Sequence, residues 1–155
     1  MRILSRVCHA LVVQEDALLL GPSLEPFLEG GGYSYVGAPW HPHDGWVAGK
    51  PWLAAVGGNG GLSLRRRSHA LACLDAFAWQ RGQWEDAYFV EALQRLGHPV
   101  APASAASAFA VERLPSARPC GLHKAYNYLA PPELKRLLGV LEEEYERRLE
   151  RLDER

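Results

Sequence analysis

Four short segments carry side chains whose types and spacing could do chemistry. Gln14-Glu15-Asp16 lies between two apolar runs, Ala10 to Val13 and Ala17 to Leu20. Carboxylates at the end of a strand are suited to hold a hard divalent cation through oxygen ligands; taken alone, the same residues make a polar turn. Gly57-Gly58-Asn59-Gly60-Gly61 places four glycines in five positions ahead of a strand. Such a run costs much backbone entropy, so a ring or a phosphate is expected to lie on the main chain, with the Asn59 amide offering donors and an acceptor. A flexible hairpin turn is the plainer reading.

Trp84-Glu85-Asp86 puts two acids at a predicted helix start, where the dipole and free N–H groups favour negative charge. Capping is one role for them. The other is chemical: a carboxylate kept ionised by that environment accepts a proton from an alcohol in a displacement reaction. In Gly121-Leu122-His123-Lys124 the imidazole could ligate a metal or contact a diphosphate, and the ammonium is a point charge for phosphate. A surface His-Lys pair is the alternative. His41-Pro42-His43-Asp44 lacks the helical or strand spacing that fixes coordination geometry, so it is not taken as a metal cluster. Arg65 to Arg67 reads either as a phosphate contact or as a solvated patch.

The elements that position these segments follow from hydrophobic period and punctuation. Ala10–Val13 and Ala17–Leu20 read as one buried strand interrupted by, or ending in, the polar turn. Leu24–Phe27 reads as a single helical turn, Tyr33–Val36 as a strand, and His41–Lys50 as a surface or active-site loop. Leu62–Leu64 alternates as a strand. Ser68 is the predicted N-cap of a helix reaching Arg81 or Gly82. Glu85 opens a helix with the stripe Phe89, Val90, Leu93 and Leu96, ending at Gly97. The Ala/Ser/Pro segment Pro99–Ala108 reads as a connection, and Phe109–Glu112 as a short strand. From Pro131 a helix carries Leu134, Leu138, Leu141, Tyr145, Leu149 and Leu152 on one stripe. Its other face is charged, with pairs four apart such as Glu143 with Arg147 and Glu144 with Arg148.

Composition bounds what these parts can be. At 155 residues, 48% hydrophobic and 23% charged, the chain has the length and balance of one globular unit. A formal net charge of -1 removes the basic footprint of nucleic-acid binding. No apolar stretch is long enough to span a membrane, and no secretory leader pattern opens the chain, so a cytoplasmic location is expected. Three cysteines without CxxC spacing describe neither a disulfide framework nor a zinc knuckle. Five Trp and six Tyr, concentrated from Tyr33 to Tyr128 among the glycines, suggest a glycine-rich site walled by flat rings.

The order QxD, YxYVGAPW, GNGGLSLR, ED before an apolar helix, FAVE and GxHK resembles an uncharacterised family of glycosyltransferase-like domains, over Leu11 to Tyr128. Members read QTDS, YDYIGAPW, GNGGFSLR, EDVFF, FSVE and GxHKPW at these places. Here Glu15 stands for Thr, Ala17 for Ser, and Ala125-Tyr126 for Pro-Trp. That family is similar in turn to nucleotide-sugar transferases of the GT-A type. The resemblance implies an α/β fold: a GT-A-like mixed sheet flanked by helices and truncated at its N-terminus. It divides into a catalytic and acceptor domain at 1–130 and a C-terminal amphipathic helix at 131–155.

It further implies a metal-dependent glycosyltransferase that moves a sugar from a nucleotide-sugar donor to a hydroxyl acceptor, with inversion favoured. Asp16 and His123 would hold Mn²⁺ or Mg²⁺, with Glu15 nearby. Asn59, Gly60 and Gly61 would line the sugar and acceptor pocket, and Lys124 would contact phosphate. Asp86, with Glu85 beside it, falls where inverting members place the base. Trp40 and Trp84 would stack on sugar faces, or serve as core and rim aromatics. Few residues precede the acidic motif, so either a second chain or an upstream segment supplies the base and ribose pocket, or the donor is bound unusually, or catalysis has been lost. The charged stripe after Glu142 reads as a solvated helix face, with contact to a homodimer mate or partner chain along its Leu edge as the alternative. The alternative function is a non-catalytic carbohydrate- or protein-binding module that keeps the pocket.

Overall fold

The computed structural model describes residues 8–30 and 32–153. Among the described residues there are two three-stranded sheets. The first has β1 (His9–Val13) antiparallel to β4 (Leu62–Arg66), which is antiparallel in turn to β3 (Tyr35–Gly37). The second has β2 (Ala17–Leu19) antiparallel to β6 (Gly121–His123), with β5 (Ala110–Val111) parallel on β6's other side. The expected mixed α/β architecture is present. The single mixed sheet is corrected to two, and the expected single buried strand becomes β1 and β2, one in each sheet. β1 is an edge strand with Leu11 and Val13 exposed, so it is not buried either.

Alternation sorts the sheet faces. On β3, Val36 enters one apolar cluster with Leu62, Leu64, Phe27 and Phe109, while its neighbour Tyr35 enters a second with Trp40, Leu53, Cys73, Val90 and Leu93. On β4, Leu62 and Leu64 take the first face, leaving Ser63 and Arg65 on the other.

The helices are α1 (Pro51–Ala54), α2 (Arg67–Ala76), α3 (Glu85–Arg95), α4 (Ala103–Phe109) and α5 (Pro131–Asp153). The predicted helical turn at Leu24–Phe27 is shifted to a turn of helix at Pro26–Gly30. α2 has no Ser68 cap and ends at Ala76, short of the predicted Arg81. The Tyr88 hydroxyl donates to the Phe77 carbonyl at 2.6 Å, with the Cys73 carbonyl also in reach at 3.0 Å, and Phe77 is extended. α4 corrects the predicted connection. Alanine is the strongest helix former, Pro102 supplies the N-cap, and Ala106 packs where a Cβ on Gly57 would stand.

α5 is also set differently from the expected stripe. Leu137 and Val140 are buried in a third cluster with Leu20, Val111, Leu122 and Ala125, while Leu138, Leu141 and Tyr145 remain exposed. Glu144 is buried and pairs with Arg147 at 2.8 Å, three residues on. Among the described residues no helix is long and apolar enough to cross a membrane.

One polar contact stitches α2 to the segment before β3. The Ser34 hydroxyl lies 2.6 Å from His69 Nδ1, and the His69 ring stacks on His98 with centroids 3.8 Å apart and planes 5° apart. Burial, then the charges of His98 and Arg66, hold the His69 pKa below its ordinary value. A histidine whose folded pKa is depressed stabilises the fold fully above the unfolded value and loses that contribution as pH falls below it. Melting temperature should therefore decline as pH drops below about 6.5, and His69→Gln, which keeps an acceptor toward Ser34, should flatten that decline. A thermal-melt series across pH on both proteins checks this.

Candidate functional site

The site lies where the chain passes from one sheet to the other. Gln14 extends the first ladder, its N–H donating to the Gly61 carbonyl at 2.9 Å. Three residues on, Ala17 is already paired with His123 in the second sheet. Asp16 sits between, its carbonyl accepting from Lys124 N–H at 3.2 Å. Register thus brings Asp16, Gly61 and His123 to one point although they are far apart in sequence.

His123 is buried at 4% exposure, between two carboxylates. Its Nε2 lies 3.3 Å from Asp16 Oδ1 and its Nδ1 lies 3.3 Å from Glu112 Oε1. Neither contact has hydrogen-bond geometry. Both ring nitrogens and Asp16 Oδ1 are buried without a hydrogen-bond partner, a costly arrangement that needs an explanation. Lys124 follows with φ 51°, in the left-handed region that few non-glycine residues adopt. Its Nζ reaches to 3.5 Å from Asp16 Oδ2. Glu15 is exposed on the turn.

The glycine run is explained by the protein's own side chains. A Cβ on Gly58 would overlap the Trp40 ring, and one on Gly61 would overlap Nε2, Cδ2 and Cε1 of His123 alike. Near-equal approach to three ring atoms places Gly61 over the face of the imidazole, so the in-plane lone pair at Nε2 is not spent on it. A Cβ on Gly60 would stand 3.0 Å from Asp86 Cβ and from Glu85 Oε2. None of these glycines has positive φ, so neither a hairpin turn nor strain requires them. The rings that lie on this backbone are the protein's own, those of Trp40 and His123. The Asn59 amide works inside the turn, its Oδ1 accepting from Gly61 N–H at 3.0 Å.

The opposite wall is the start of α3. Glu85 binds Arg65 through both carboxylate oxygens. Arg65 is 7% exposed, lies over the Tyr35 and Phe89 rings at 4.9 and 5.1 Å, and donates through Nε to Ser63 Oγ at 3.0 Å. The solvated patch is corrected for this residue: alternation turns Arg65 inward with Ser63. Asp86 accepts from Gly60 N–H at 3.1 Å and from Ala87 N–H at 2.8 Å. Burial is the larger influence on it and raises its pKa, with Glu85 adding in the same direction, against the N–H donors and Arg65. The expected lowering at the helix start is therefore outweighed.

Between the walls is a cleft of about 480 Å³, lined by Asn59, Asp86, Glu112, Arg113, His123 and Lys124 among others. Trp40 is buried at 2% and forms its floor, so it offers no open stacking face. Trp46 packs edge-on against Trp40, with centroids 4.9 Å apart and planes at 80°, and Trp84 lies parallel to Trp46 at 6.4 Å and 9°. The loop carrying Trp46 is held by the Asp44–Arg113 ion pair at one end and by Lys50–Glu91 at 2.5 Å at the other.

Asp44 is thus engaged by Arg113, and its N–H donates to the His41 carbonyl at 3.0 Å. Among the described residues no group of three or more His, Cys, Asp or Glu is arranged to hold a metal ion. Sequence reasoning missed Glu112, Trp46 and Arg113 as site residues and left Arg65 between a phosphate contact and a solvated patch. For Arg65 the signal was the period of two from Gly61 through Ser63. For Glu112 it was the motif FAVE beside a strand pairing that only the fold discloses.

A family model described as Protein of unknown function (DUF5672) matches residues 2–123. No curated protein and no solved structure matches the chain.

Gly61 and Gly139 make a controlled comparison. A methyl on Gly61 drives into His123, whereas one on Gly139, inside α5, meets nothing within 4 Å. Gly61→Ala should destabilise by about 1–3 kcal/mol through overpacking. Gly139→Ala should stabilise by roughly 0.5–1 kcal/mol through backbone entropy. Urea denaturation of the two variants checks both signs.

Proposed function

The chain belongs to this family of proteins of unknown function, and we propose that its cleft transfers a sugar from a nucleotide-diphosphate donor to a hydroxyl acceptor. The observation that carries the reading is the pair of buried, unpartnered polar atoms Asp16 Oδ1 and His123 Nε2, 3.3 Å apart, with His123 in the wall of the cleft that the Asp86 carboxylate also lines. The same reading assigns the fold to the GT-A type.

The donor set fits Mn²⁺ or Mg²⁺ bound by one carboxylate oxygen and one imidazole. Such ions take few protein ligands and complete their shell with water and substrate phosphate oxygens. When bound, the ion neutralises charge on the departing diphosphate. Glu112 faces Nδ1 and favours the tautomer that carries its proton there, which leaves the Nε2 lone pair toward Asp16.

Asp86 is assigned as the base. A carboxylate whose pKa is raised by burial is a stronger proton acceptor than a solvated one, and the Gly60 and Ala87 N–H groups keep it aimed. It takes the acceptor O–H proton as the acceptor oxygen forms its bond to the anomeric carbon. The bond from that carbon to the diphosphate oxygen breaks, and its electron pair leaves with the nucleoside diphosphate. In-line attack inverts the centre. Lys124 meets the negative charge of the leaving group from the opposite wall. Glu85 is a positioning residue, held by Arg65, which fixes the start of α3 beside the glycine turn.

Thermal stabilisation by UDP- and GDP-sugars with Mn²⁺ tests the reading. A nucleotide sugar that raises the melting temperature only with metal supports it. No shift with any nucleotide, alongside a shift with free glycans, favours the binding-module alternative. Asp86→Asn should lower transfer by about 10²–10⁴-fold and leave metal-dependent donor stabilisation intact. The wild-type rate should fall on the acid side, through a pKa above that of an ordinary carboxylate. A fully active Asp86→Asn protein removes the assigned base.

A further inference from the structure

From the wall of the cleft that carries Asp86, we infer that the acceptor is itself a neutral saccharide, seated on the paired indole rings of Trp46 and Trp84. This rests on the transferase reading for the word acceptor, but the binding surface stands on its own geometry.

Trp84 is 71% exposed and Trp46 39% exposed, both on the cleft. An exposed tryptophan at a surface needs no special account. Here two do not act singly: their planes are within 9° of one another, and Trp46 is braced edge-on by the buried Trp40. The loop that carries Trp46 is tied down by ion pairs of Asp44 and Lys50, so its ring is held rather than free to collapse. Trp84 occupies the N-cap position of α3, two residues before Asp86, and both line the cleft.

The chemistry around the rings selects the ligand class. Ring faces carry negative potential and attract polarised C–H groups, the property of one face of a pyranose. Polar groups beside them, Arg113, Asp44 and Asp86, offer donors and acceptors to hydroxyls. With Glu85 paired to Arg65 and Asp44 to Arg113, it is Asp86 that adds a carboxylate to this wall, while Lys124 lies with Asp16 and His123. A phosphorylated or carboxylate ligand is therefore disfavoured at the tryptophans, and a nucleotide is drawn to the other wall. A neutral, hydroxyl-rich ring with an apolar face meets both requirements.

The test is a tryptophan-fluorescence titration of the whole chain in EDTA, without nucleotide, using chitotriose and cellotriose as saccharide probes, with UDP and a serine-containing peptide in parallel. Trp84→Ala and Trp46→Ala are the test variants, and Trp79→Phe is the control, since Trp79 is exposed but does not line this cleft. A saturable response to a saccharide that weakens tenfold or more in Trp84→Ala and Trp46→Ala, and is unchanged in Trp79→Phe, is the expected result. Absence of a saccharide response, a response indifferent to both cleft tryptophans, or binding of UDP or the peptide on them instead overturns the inference. Because the titration uses neither metal nor donor, its outcome is separate from metal-dependent stabilisation by nucleotide sugars. The surface can fail while the transferase reading stands, and the reverse.

Discussion

Everything in the site depends on one crossing: within Gln14-Glu15-Asp16 the chain leaves an antiparallel ladder with β4 and joins another with β6. A strand that switches sheets has to give up its hydrogen-bond partners on one side and find new ones on the other. Gln14 N–H on the Gly61 carbonyl and Asp16 C=O on the Lys124 N–H are those two ends. The polar atoms that remain between them, on Asp16 and His123, are neither in a ladder nor in water. A fold driven by burial alone would place apolar residues at such a junction.

The two walls of the cleft approach closely because the glycine run has no side chains to hold them apart. His123 rests face-on against Gly61 and Asp86 is drawn in by the Gly60 N–H, so consecutive residues of one turn seat the groups from opposite walls. A second layer keeps this geometry from relaxing. Arg65 is buried, and a buried guanidinium is tolerated only when its donors are satisfied; Glu85, Ser63 and Tyr35 do so. The cost of burying that charge is offset by a fixed relation between β4 and the first turn of α3, which is the relation between the glycine turn and Asp86.

Legibility varied with the range of the interaction. α3 was readable because its stripe, its acids and the closing Gly97 are all local. α4 was missed because an Ala/Ser/Pro segment has no hydrophobic period, although alanine favours a helix and Gly57 leaves room for Ala106 to pack. The end of α2 was missed because Tyr88, from the next helix, supplies the hydroxyl at its last turn. The stripe of α5 was assigned by leucine spacing, while the surface it meets buries Leu137 and Val140. Among site residues, Trp46 lay in a loop without period, and nothing local told it from Trp40.

The residues themselves determined the chemistry on offer: acids beside a strand end, an imidazole with an ammonium next to it, acids at a helix start, and glycines that leave the backbone bare. Those are properties of side-chain type and short spacing, so no fold is needed to read them. Which groups meet was decided by the tertiary structure alone. Strand register sets Asp16 and Glu112 on either side of His123, and alternation along β4 turns Arg65 inward to Glu85. Burial moves Asp86 in the direction opposite to that expected from the helix dipole. Each of these depends on partners distant in the chain, where pairing and desolvation outweigh local preference.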